Sequence, residues 1–176
     1  MPSEKAGTTL QKVIKLIALA KYRLESMAQP VYKNQGDYFT SDVTNVGFQN
    51  NCLEVSTALR AAAGLEVELT EEVEAIETEL KELSGVREYK ELSEREKTAI
   101  AFCATIATEM QKFIRSIEEV LELTRGRDYI SNEELKKIGK NVFSTKQGID
   151  EVARHLIVIQ DMVAHINKIK AWRQAA

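Results

Sequence analysis

Ser131-Asn132-Glu133-Glu134-Leu135-Lys136-Lys137-Ile138 opens the stretch whose reading decides the fold. Ser131 and Glu134 have the spacing of a capping box, in which serine and glutamate side chains satisfy each other's free amides at a helix start. Beyond them, apolar or small residues recur in steps of three and four. These are Leu135, Ile138, Val142, Thr145, Ile149, Val152, Leu156, Ile159, Val163 and Ile166. Such a stripe is one face of an α-helix, and the pattern predicts a helix over about 132–172. At 1.5 Å per residue it would span roughly 60 Å. Gly139 and Gly148 flank a weak helix former, Asn141-Val142-Phe143-Ser144-Thr145, so a hinge there is one expectation. The other is a straight helix whose small residues let a neighbour come close.

Working outward, Ser93 and Glu96 form a second capping box and open a predicted helix over 94–124. Its stripe runs Ala99, Cys103, Ile106, Met110, Phe113, Ile117 and Val120. Thr70 is the expected cap of a helix over 71–84, with Val73, Ile76, Leu80 and Leu83 as its seam. A helix over 42–63 follows Thr40 or Ser41 as cap and ends at Gly64, where a left-handed cap is expected. A first helix over 9–29, with Thr8 and Gln11 as a capping pair, precedes a loop from Pro30 to Phe39. Proline occurs at positions 2 and 30 only, which favours long helices over a turn-rich sheet. The expected architecture is all-α: one elongated antiparallel bundle of about five helices, the last two long.

Composition narrows the function. A net charge of −3 lacks the general footprint of a nucleic-acid binder, so nucleic acid is not an expected partner. Charge is nevertheless segregated. Residues 66–96 hold twelve glutamates against four basic residues, whereas 136–176 hold eight basic against three acidic. An acidic hairpin docked beside basic first and last helices would explain this, as would a partner of complementary charge. Lys168, Lys170 and Arg173 could meet phosphate, but such residues more often complement a helix C-terminus.

Cys52 and Cys103 fall on apolar helical positions and read as buried thiols. His155 and His165 have Glu151 and Asp161 one turn before them, a spacing that suits ion pairs, and neither follows a glutamate by three positions. No phosphate-cradling loop or nucleophile elbow occurs. The expectation is therefore no metal, no cofactor and no enzyme. The absence of an apolar run of about 18 residues makes a cytoplasmic chain the default, with non-classical secretion left open.

Two patches rise above background. Leu156-Ile157-Val158-Ile159 covers a whole helical turn with apolar side chains, so it is enclosed by several helices or binds something. Tyr32, Tyr38 and Phe39 form a loop aromatic group that plugs the bundle end or makes contacts. The function expected is a non-catalytic bundle acting through a protein partner or self-association, as adaptor, inhibitor or assembly subunit. Two alternatives stand beside it: a component of a membrane-active or secreted helical assembly, and a metal-free enzyme.

Overall fold

The computed structural model describes residues 8–33, 41–83 and 92–175. Among them are seven helices and no strand. They are α1 (Thr8–Lys33), α2 (Ser41–Thr44), α3 (Val46–Ala63), α4 (Glu66–Leu83), α5 (Glu94–Ala104), α6 (Ile106–Thr124) and α7 (Asn132–Ala175). Cross-helix contacts set the topology. Lys21 pairs with Asp150 and Val31 faces Gly139, so α1 and α7 are antiparallel. Arg60 pairs with Glu118 and Gln49 donates to the Thr124 carbonyl, so α3 and α6 are antiparallel too. Asn141 on α7 meets Ser116 on α6, while His155 stacks on Phe102 of α5. Four rods result: α1, α3 continued by α4, α5 continued by α6, and α7. Neighbours in this ring alternate in direction, as in an up-down bundle.

The stripes bury as the sequence requires. Leu10, Leu24, Leu59, Ile76, Ile106, Ile117, Ile149 and Ile159 are all within 1% of full burial and form a single core. Both capping boxes form: Ser93 with Glu96 opens α5, and Ser131 with Glu134 precedes α7.

Several boundaries differ from expectation, each for a physical reason. Pro30 lies inside α1, not in a loop. It removes only one donor in the last turn, and Val31 beyond it is buried against α7, which carries the helix on to Lys33. Thr70 sits inside α4, because the chain turns only briefly at Gly64-Leu65 and is helical again from Glu66. Gly64 is right-handed (φ −67°) and not left-handed, since its amide still reaches the Arg60 carbonyl. The cap of α3 is Asn45, whose side chain accepts from the Phe48 amide at 2.7 Å, and Ser41 belongs to the separate turn α2. The helix expected over 94–124 breaks at Thr105 (φ −120°). There the amide of Ala107 donates to the Glu66 carboxylate at 2.6 Å, so a side chain enters the helical ladder.

The acidic helix α4 uses a second carboxylate in the same way. Glu72 accepts from the amides of Thr9 (2.8 Å) and Leu10 (3.2 Å), taking the place expected for a local cap at the start of α1. Carboxylates at helix N-termini are stabilising both as acceptors and as charges facing the helix dipole. Farther along, Glu79 pairs with Lys170, and Arg173 donates to the Leu83 carbonyl at the end of α4. Acidic and basic segments thus meet within the chain.

The last helix is not interrupted at either glycine: α7 runs 44 residues, about 66 Å. A Cβ at Gly148 would lie 2.2 Å from Phe113 Cε1, and one at Gly139 would lie 3.2 Å from Val31 Cγ1. Both glycines serve close approach.

Candidate functional site

An apolar concavity lies where the end of α1 crosses the start of α7. Its floor is apolar: Val31 and Leu135 are buried, and Gly139 contributes backbone only. One wall is an aromatic pair, Tyr32 on α1 and Phe143 on α7, with centroids 4.5 Å apart and planes tilted by 44°. Offset, tilted rings are a favourable arrangement for such a pair. The pair forms because Gly139 lets α1 approach, which brings Tyr32, one residue past Val31, over Phe143, one turn past Gly139. The cleft encloses about 320 Å³, near the small end of ligand-sized cavities.

Its rim is basic. Lys136 and Lys140 are exposed, stand one turn apart, and make no ion pair among the described residues. Lys137, between them in sequence, points elsewhere and pairs with Glu119. At the head of the cleft Asn132 holds its side-chain oxygen buried without a donor.

The sequence candidates distribute as follows. Tyr32 is in the cleft but on a helix, and it is 62% exposed. Tyr38 and Phe39 lie outside the described residues. The apolar turn is largely enclosed: Leu156, Val158 and Ile159 are buried, while Ile157 is 48% exposed. Ile157 stands fourteen positions after Phe143, hence four turns along the same flank of α7, with Asp150 between them. One flank of the α1–α7 seam therefore carries the aromatic cleft at one end and Ile157 at the other.

Away from the cleft, the groups with displaced proton affinities owe them to burial or to nearby side chains. Burial pushes both Cys52 and Cys103 up to about 12, and both thiols are free. The Glu119 carboxylate is lowered, first by its hydrogen bond with Lys137 and then by Asn141. Glu134 is lowered chiefly by its hydrogen bond with Ser131. His155 stacks on Phe102 at 4.7 Å, and His165 is exposed; the ion pairs expected with Glu151 and Asp161 do not form. Among the described residues no group of three histidine, cysteine or carboxylate side chains is placed to hold a metal. None of their helices is long and apolar enough to cross a membrane.

Sequence reasoning missed Val31, Leu135 and Phe143 as a joint surface, and Glu66 and Glu72 as caps. The i, i+4 lysines 136 and 140 were a visible signal for the rim, but nothing local announced the residues opposite them. No family model, curated protein or solved structure matches the chain.

Proposed function

We propose that this chain is a non-catalytic binding protein whose contacts run along the α1–α7 flank. The observation that carries the reading is the open aromatic cleft: a tilted Tyr32–Phe143 pair over an apolar floor, with two unpaired lysines at its edge. A half-exposed aromatic wall beside apolar surface is the composition of an interface anchor. Ile157 extends the same flank. The ionisable groups with displaced affinities fit this reading, since their partners are caps and cross-helix clamps.

Photo-crosslinking in the native host tests it. A crosslinking side chain at Tyr32 or Ile157 is expected to capture protein, whereas one at Leu53, exposed on α3, should capture markedly less. Equal capture at all three positions, or none at Tyr32 and Ile157, would remove the flank from consideration.

A further inference from the structure

If the cleft binds a partner, as proposed, the chain carries the counterpart of that cleft on another of its helices. Of the carboxylates on α4, Glu66 and Glu72 cap other helices, Glu77 pairs with Lys81 and Glu79 pairs with Lys170. Glu68 and Glu82 are exposed without a partner among the described residues, and so are Glu71 and Glu74. Together with Val67, 69% exposed, the latter two form one stripe in steps of four and three: Val67, Glu71, Glu74. The cleft presents Lys136, Lys140 and Phe143, also in steps of four and three. Laid antiparallel, the outer pairs coincide and the middle pair is offset by one residue, about 1.5 Å, which a lysine side chain spans. Glu74 meets Lys136, Glu71 meets Lys140, and Val67 meets Phe143. A parallel alignment would set Val67 on Lys136 and Glu74 on Phe143.

The two surfaces cannot meet within one molecule. Glu72 holds the start of α1 at Thr9, and Tyr32 ends the same helix 23 residues on, about 35 Å away. Cleft against cleft is also disfavoured, since four unpaired lysines would face one another. We infer that a second copy of this chain occupies the cleft, its α4 stripe docked antiparallel on α7. The contact joins two different surfaces, so each copy keeps one free cleft and one free stripe, and assembly grows head to tail.

The purified full chain, studied by sedimentation equilibrium at low ionic strength, decides this. Three proteins are compared: wild type, K136E/K140E and E71K/E74K. The wild-type mass is expected to rise above 19.8 kDa with concentration and to fall back with added salt. Each variant alone should remain monomeric, since its stripe and cleft then carry like charge. An equimolar mixture should assemble again, because reversed cleft meets reversed stripe and native meets native. Recovery on mixing also shows that both variants fold; the milder pair K140E and E71K serves if either double variant does not. A wild type that stays monomeric up to about 1 mM overturns the inference, as does assembly indifferent to both reversals or a mixture that fails to pair. If the chain is monomeric yet Tyr32 crosslinks to another protein, self-docking falls and the binding reading stands.

Discussion

Gly139 and Gly148 stand nine residues apart on α7, two and a half turns, and therefore face opposite sides of the helix. At Gly148 the missing side chain is replaced by a neighbour's: the Phe113 ring of α6 occupies the place a Cβ would take. At Gly139 the approach of Val31 is looser, and the space beside it stays open as the cleft. One side of α7 is a filled joint and the other an unfilled one. Identical residues on one helix thus say nothing by themselves about closure; what the facing helix supplies decides it.

The sharpest way to break this contrast is to add a methyl at each glycine. Gly148→Ala forces the Phe113 ring aside, an overpacking cost of about 1–3 kcal/mol that outweighs the gain of about 1 kcal/mol from replacing a helical glycine. Combined with Phe113→Ala, the two losses should fall short of their sum by more than about 0.5 kcal/mol in denaturant titrations. Strict additivity would show that the ring does not fill the glycine's place. Gly139→Ala asks Val31 to give by only a few tenths of an ångström. The helical gain should then leave stability unchanged or raised by up to about 1 kcal/mol, read as a higher melting midpoint. A loss comparable to that at Gly148 would erase the difference between the two sides.

The smallest expected effect concerns the polar clamp on the filled side, where Asn141 and Lys137 both reach Glu119. The folded Glu119 carboxylate is lowered relative to its unfolded value. Its contribution is therefore present at neutral pH and is lost as pH falls through the lowered folded value. Glu119→Gln should be less stable than wild type at neutral pH, and the gap should close in acid. A gap independent of pH would mean that the charge is not what clamps α6 to α7.

The sequence made the helices legible because their signals are local. The stripe from Leu135 to Ile166 and the two serine–glutamate boxes depend on residues within a few turns, and both appear where their spacing puts them. Ends set by distant partners were not legible. The break at Thr105 needs Glu66, about forty residues away, and α1 passes Pro30 only because Gly139 of α7 receives Val31. The candidate site was half visible for the same reason. Tyr32 and Gly139 could each be singled out, but their meeting depends on the antiparallel docking of α1 on α7. The turn at Leu156 divides between the two expectations: Leu156, Val158 and Ile159 are enclosed, and Ile157 alone looks outward.

The two cross-chain caps bear on how the molecule assembles in time. The opening amides of α1 and the first turn of α6 both find their acceptors on α4, a helix made after the one and before the other. Neither end can be completed until the middle of the polypeptide has docked, so a ribosome that has released only α1 presents a rod with a frayed start. Formation of α4 ties the starts of α1 and α6 to a single event, which favours an all-or-none transition over independent melting of the segments.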